Sequence, residues 1–351
     1  WTYDALNRNT HITFADGLSR QYGYDAVGNM TSSIDRAGNK FTYAYNPLGM
    51  LLTKSYPDKT QDSFTYDAIG QMLSAVNADA NVTFSYDGAG RLTRETLNGK
   101  NTTYSYDIAG GKRTLTYPSG MKIVENLNAR DLISSVLQNG NEIATMGYDD
   151  SGRKTSMTYA NGVTTAYSYN ANGWLSQINA AENILNLAFI YDAVGNITKR
   201  QDMIDNSQTE VYGYDAISQL ISFKRGTTVD KSYQFDPLGN RLKVVENGVT
   251  TNYTSNRING YSSISGGITF TPQYDANGNL LNDTDHQYRY NLNNKLVGVD
   301  TNTASYAYDA LGRRVSKTTV SGTITYFYVG DQMVEEFNGK SLAASYVYGN
   351  N

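Results

Sequence analysis

The residues with the plainest chemical potential in this chain are aspartates. Asp25, Asp67, Asp87, Asp107, Asp149, Asp192, Asp275 and Asp309 each follow a tyrosine directly: Tyr24, Tyr66, Tyr86, Tyr106, Tyr148, Tyr191, Tyr274 and Tyr308. Each also stands three residues before a glycine: Gly28, Gly70, Gly90, Gly110, Gly152, Gly195, Gly278 and Gly312. Carboxylates serve as general acids and bases, but a catalytic pair needs two of them in unlike surroundings, so that one keeps its proton and the other loses it. These recur in the same local sequence every time. An Asp at the head of a turn accepts N–H bonds from its own backbone two residues on, and Gly supplies the positive φ that closes the turn. The pattern predicts a structural repeat motif, with no catalytic, cofactor-binding or metal-binding residue and no cofactor.

The remaining chemistry is thin. Two histidines are present, His11 and His286, and no Gly-x-Ser-x-Gly accompanies them, so Ser/His/Asp catalysis is not expected. Asp283, Asp285 and His286 fix too few ligands for a cation site. Asp275-Ala276-Asn277-Gly278-Asn279 places its Gly fourth where a calcium loop needs it sixth, and no Glu takes the twelfth place. The absence of cysteine excludes disulfides, thiolate metal sites and Cys nucleophiles. No Gly-rich loop opens a helix, so phosphate cradling is not expected either. Sequons such as Asn101-Thr102-Thr103 and Asn196-Ile197-Thr198 follow from the turn chemistry. A formal net charge of −4, from 29 Lys+Arg against 33 Asp+Glu, leaves no basic stripe for nucleic acid. No apolar run approaches the ~18 residues of a membrane-spanning helix.

The elements that must position the aspartates follow from their spacing. Tyr24, Tyr45 and Tyr66 lie 21 residues apart, and relaxed copies begin at Tyr45, Tyr169 and Phe235. A fixed period of this length marks a repeat array. The stretch from Tyr86 to Tyr106 shows one unit. Tyr86-Asp87-Gly88-Ala89-Gly90 forms a turn, and Arg91 to Leu97 reads as a strand with Thr93, Glu95 and Leu97 on one face. Asn98-Gly99 is a two-residue hairpin signal, and Lys100 to Tyr106 returns as the partner strand. Asp16-Gly17, Asn161-Gly162 and Asn247-Gly248 repeat this punctuation, as do Ala37-Gly38, Ser119-Gly120 and Ser321-Gly322. An aromatic two residues before the motif, such as Tyr22, Tyr43, Phe64, Phe84 and Tyr104, shares a face with the motif tyrosine. Adjacent repeats are therefore expected to build a ladder of aromatic pairs.

Thirty tyrosines, 32 glycines and only five prolines agree with an all-β chain. Strands of about seven residues, on the order of 34 of them at ~4.8 Å, would make about 160 Å of sheet, which must curl. The expectation is a single continuous array over 1–351, less regular at about 250–300. A longer exposed loop is expected near Asp202 to Asn206, and a single helical turn within Ala180 to Leu187.

With motif, period and hairpin in place, the chain resembles the YD-repeat or Rhs (rearrangement hot spot) family over essentially all of 1–351. The residues that carry the resemblance are Tyr-Asp-x-x-Gly-Asn/Arg, as in Tyr191-Asp192-Ala193-Val194-Gly195-Asn196 and Tyr308-Asp309-Ala310-Leu311-Gly312-Arg313. The stretch Tyr326 to Phe337, followed by Tyr346-Val347-Tyr348-Gly349, is similar to the last repeats before the family's core domain. The resemblance implies a spiral β-sheet around a hollow interior, related to the BC shell of ABC toxins and to the YD barrel of teneurins. In the toxin type that shell encloses a toxic C-terminal region, released by autoproteolysis at aspartates in a motif this chain lacks, so autocleavage is assigned to no residue here.

The implied function is a non-enzymatic shell segment of a bacterial polymorphic toxin, secreted or at the cell surface. Its partners would be neighbouring repeats, the core domain and the C-terminal toxin cargo. The alternative is a cell-surface adhesion or carbohydrate-binding module that meets a glycan or protein receptor through exposed aromatics. The chain opens on Trp1-Thr2-Tyr3-Asp4 and closes at Asn351 within a repeat, which reads as part of a longer polypeptide. Its terminal strand edges are expected to invite self-association.

Overall fold

The computed structural model describes residues 1–348; Gly349, placed above in the last repeat match, lies with Asn350 and Asn351 outside the described residues. Among the described residues there are 35 strands, one four-residue helical turn and one 3-10 turn, so the chain is all-β. The strands from Thr2–Tyr3 to Tyr261–Gly266 belong to one antiparallel sheet of 26, followed by sheets of two and seven. Within each sheet a strand pairs with its neighbours in sequence: Met30–Ile34 runs against Ser19–Tyr24 on one side and Lys40–Tyr45 on the other.

The motif makes one kind of corner. At Asp25 the backbone N–H donates to Asn29 O at 2.9 Å, and Gly28 N–H returns to Asp25 O at 3.3 Å with Gly28 at φ 101°. That conformation is open to Gly and costly for other residues, and the register shifts by one at Gly23/Tyr24 to accommodate it. Two kinds recur among the opposite corners, and Ser321-Gly322 is displaced by one residue, since Thr319 pairs with Gly322 and leaves Val320-Ser321 as the turn. Asn98-Gly99 is a true two-residue turn, with φ 48° and 81° and Leu97 paired to Lys100. Asn247-Gly248 matches it, with φ 49° and 84° and Glu246 paired to Val249. Asp16-Gly17 and Asn161-Gly162 differ from this reading. A primed two-residue turn needs positive φ at both positions, and here only the glycines have it. They close four-residue turns headed by Phe14 and Tyr159, whose carbonyls accept from Gly17 and Gly162. Ala37-Gly38 and Ser119-Gly120 do the same behind Asp35 and Tyr117.

The aromatic ladder also differs from expectation. Motif rings of adjacent repeats stand two strands apart, ~10 Å, beyond the 4.5–7 Å of ring packing. The ring contacts that form are local, such as Tyr212–Phe223 at 5.6 Å and Trp174–Tyr191 at 5.2 Å.

The chain divides into two compact units. The first comprises Trp1–Tyr106, Thr114–Lys122 and Pro272–Tyr348. Its core joins Phe64, Ala75, Val82 and Leu97 to Val315, Phe327 and Phe337, with Phe327 and Phe337 edge to face at 5.4 Å. The strands between Gln273 and Val299 are only two to four residues long, since the 16 residues from Tyr274 to Tyr290 leave no room for more. The second unit holds Asp107–Arg113 and Ile123–Thr271. Ile133, Val136, Met146 and Leu187 are among its buried side chains. The helical turn spans Ala181–Ile184, and the loop after Asp202 contains the 3-10 turn Asn206–Gln208 with Met203 and Ile204 exposed.

Candidate functional site

Every motif aspartate but Asp107 accepts two or more hydrogen bonds from its own turn. Asp25 Oδ1 accepts Val27 N–H at 3.0 Å and Asn29 N–H at 2.8 Å, while Oδ2 accepts Asn29 Nδ2 at 2.9 Å. Asp87 takes Ala89 N–H, Arg91 N–H and Arg91 Nε; Asp309 takes Leu311 N–H, Arg313 N–H and Arg313 Nε. Asp149 is held by Arg153, Asp192 by Val194 and Asn196, and Asp275 by Asn277 and Asn279. Asp67 accepts Ile69 and Gln71 N–H, and the Gln71 side chain reaches Gly90 O at 2.8 Å. Side-chain bonds from Asn29, Arg91 and Asn196 are the leading cause that holds Asp25, Asp87 and Asp192 below the ordinary carboxylate value. Carboxylates stabilised as anions in this way have no proton to give at neutral pH.

Asp107 is the departure. Its carboxylate accepts Gly110 N–H at 2.8 Å, but the left-handed residue is Gly111, φ 57°, whose N–H donates to Ile108 O. An extra glycine has moved this corner one residue along. It falls where the first compact unit gives way to the second.

The tyrosines are half-buried struts. Tyr24, Tyr86, Tyr106, Tyr148, Tyr191 and Tyr308 donate their hydroxyls to carbonyls of the preceding repeat: Asn9, Met72, Leu92, Ile133, Leu175 and Leu296, at 2.6 to 2.9 Å. Tyr66 packs on the apolar cluster, and Tyr274 ends the short strand Gln273–Tyr274.

A further residue, four after the Asp of the turn, links the repeats forward. Arg8, Arg91, Arg153 and Arg313 lie over the rings of Tyr24, Tyr106, Tyr169 and Tyr328, at 4.7, 4.8, 4.6 and 5.0 Å from the centroids. Each also binds the Asp of its own turn. Where the position is Asn, as in Asn196 and Asn240, the amide bridges to Ser218 or Asn259 of the next turn. The Asn/Arg in the sequence motif was the signal for this role.

A seam within the first unit, where 272–348 packs on the earlier repeats, gathers buried carboxyls that no sequence pattern foretold. Glu335 is fully buried and accepts Ser119 N–H at 3.0 Å and the Ser119 hydroxyl. Glu95 pairs with Arg313 at 2.7 Å. Asp62 receives the Tyr56 hydroxyl, and Asn77 Nδ2 donates to Tyr308 O at 2.9 Å. Burial pushes Asp62, Glu95 and Glu335 above their ordinary values, against the pull of Tyr56, Arg313 and Ser119 respectively. The second unit has its own buried carboxylate, Glu210, held by Arg200, Arg225 and the Tyr212 hydroxyl. Burial alone would raise Glu210, but these bonds outweigh it and bring it to about 2.

His286 bonds Asp300 through Nδ1 at 2.9 Å, and His11 sits opposite Gln21 in a strand pair. Among the described residues no three acidic, His or Cys groups gather as a metal site, and no helix is long and apolar enough to cross a membrane.

The chain matches the family model described as Teneurin YD-shell over residues 178–342. It matches the RHS Repeat model over 3–40, 66–101, 86–120 and 148–183. It is 30% identical over 150 residues to the tRNA3(Ser)-specific nuclease WapA of Bacillus spizizenii, which covers 39% of this chain and 6% of that relative. The chain thus spans a small part of the curated relatives it matches. The crystal structure of TcdB2-TccC3-Cdc42 superposes with a TM-score of 0.72 at 16% identity, over 97% of this chain and 22% of that one. The Photorhabdus luminescens Tc holotoxin pore does so at 0.55 and 16%, over 95% and 23%. At these identities the likeness speaks for the fold.

Proposed function

Because the chain belongs to the YD-repeat (Rhs) family and has the fold of the ABC-toxin shell, we propose that it is wall: a non-enzymatic segment of a shell that encloses a toxin or effector cargo. The observation that carries this reading is the chaining of turn to turn. Asp25, Asp87, Asp192 and Asp309 are consumed by their own corners, the hydroxyls of Tyr24, Tyr86, Tyr106, Tyr148, Tyr191 and Tyr308 tie back to the repeat before, and Arg91, Arg153, Arg313, Asn196 and Asn240 tie forward to the next. Side chains so engaged stiffen a sheet and are not free for substrate.

In this reading residues 1–351 are one continuous array within a longer bacterial protein, secreted or at the cell surface. Its neighbours are further repeats, a core domain and a C-terminal cargo. Support for a toxic cargo comes from the relative named as a tRNA nuclease, of which this chain matches only a small part. The adhesion or carbohydrate reading has less to stand on, since the repeated tyrosines are half-buried with bonded hydroxyls and few aromatics such as Trp1, Tyr3 and Tyr159 are well exposed. Strand-edge self-association remains part of the proposal for the isolated segment.

The test is protease protection of cargo in the full-length parent. Digestion of the cargo should be slowed at least tenfold by an intact wall and restored by substitutions that open it, such as Arg313→Ala. Equal digestion rates with and without the wall would sink the reading.

A further inference from the structure

One group of side chains in the first unit takes no part in the turn motif. Lys54, on the strand Leu51–Ser55, lays its nitrogen over the rings of Phe41 and Tyr56, at 5.3 and 5.0 Å from their centroids. Its Nζ is in hydrogen-bond contact with Asn293 Oδ1. The same amide donates from Nδ2 to the Tyr56 hydroxyl at 2.6 Å, and Tyr56 in turn donates to Asp62 Oδ2. Phe41, Tyr56 and Asp62 are buried, whereas Asn293 stands at the mouth of a 530 Å³ cleft that Tyr56, Asp62 and Asn77 also line. An amine, a carboxamide and a phenol–carboxyl relay therefore stand in series, joining two stretches far apart in sequence.

We propose that Lys54 and Asn293 form a spontaneous isopeptide bond, a covalent staple between the early repeats and the segment 272–348. An amine bonded to an amide oxygen lies within about 4 Å of the amide carbon, close to the ~3–3.5 Å of a near-attack geometry. The neutral Nζ attacks Asn293 Cγ. The transfer reverses the resting donation: protonated Asp62 donates to Tyr56, the Tyr56 hydroxyl turns its proton to Nδ2, the Cγ–Nδ2 bond breaks, and ammonia leaves through the cleft. The proton shed by Nζ returns Asp62 to its acid form. One amine and one carboxamide become one secondary amide and one ammonia, with no oxidant or reductant. The surroundings favour the starting forms: burial lowers Lys54, opposed by the charge of Asp62, and raises Asp62, opposed by Tyr56, Lys54 and Asn77. The inference does not depend on what the wall encloses.

The test is the intact mass of the purified, denatured chain. A mass lower than the sequence mass by one ammonia is expected, with a branched tryptic peptide that joins Lys54 to Asn293. Lys54→Arg should restore the full mass, and Asp62→Asn should leave most of the chain unlinked. Wild-type chain at full sequence mass without the branched peptide overturns the proposal, whether or not the variants fold. Loss of ammonia that persists in Lys54→Arg overturns it as well.

Discussion

Arg313 and Glu95 form an ion pair at 2.7 Å with both side chains more than nine-tenths buried. The same guanidinium closes its own turn on Asp309 at 2.8 Å, donates to Gly330 O at 2.9 Å and covers the Tyr328 ring. One residue thus serves a corner, the link to the next repeat, and the seam. A buried pair contributes little net stability when whole, but losing one partner strands the other charge at a cost of about 3–5 kcal/mol. Arg313→Ala should lower the thermal midpoint markedly. The double change Glu95→Leu with Arg313→Leu should cost less than the single one, measured by calorimetry.

Acid should act on the two units in opposite senses at their buried carboxyls. Burial raises Glu335 and Glu95, so their contribution is fully present below the ordinary Glu value of 4.5 and is lost as pH rises through the higher folded value. Glu210, lowered to about 2, contributes above 4.5 and loses that contribution as pH falls toward 2. Hydrogen exchange followed from pH 7 to pH 3 should therefore show growing exposure around Arg200 to Arg225 and none caused by Glu335 near Ser119. Equal loosening at both places would contradict the assignment.

Removing one strut isolates its worth. Tyr86→Phe deletes the hydroxyl that reaches Met72 O at 2.9 Å and should cost about 0.5–1.5 kcal/mol. Tyr3→Phe, at a ring that is half exposed, should fall within about 0.5 kcal/mol of wild type in the same denaturant titration.

Glycines of the motif are not equivalent. Gly195 holds φ 96°, and a Cβ there would meet the Trp174 ring at 3.1 Å, so Gly195→Ala should destabilise by more than about 1 kcal/mol. Gly88 has open space around it and needs no left-handed backbone, so Gly88→Ala should be neutral or stabilising by up to about 1 kcal/mol. A cost at Gly88 equal to that at Gly195 would refute the distinction.

The corners and strands were legible because their determinants are local. Asp87, Gly90 and Arg91 sit within one turn, and alternation alone puts Glu95 and Leu97 on one face, as their common burial reflects. The kind of opposite corner was less legible. Asp16-Gly17 and Asn98-Gly99 look alike as dipeptides, and only the strand ends around them decide how many residues turn. The aromatic ladder failed on distance, because a period of one hairpin sets equivalent rings two strands apart.

What the sequence by itself determined was the repeat: where each turn falls, which residue heads it, and which side chain follows the glycine to link it onward. Only the tertiary structure decided which repeats meet. Nothing local in Glu95 or Glu335 marks them for burial, and their partners Arg313 and Ser119 reach them through the packing of 272–348 on the earlier repeats, whereas Tyr56 meets Asp62 within a single hairpin. Hydrogen bonds within a turn are written in neighbouring residues. The stacking of one row of hairpins on another depends on how the sheet bends between them, and no single repeat carries that information.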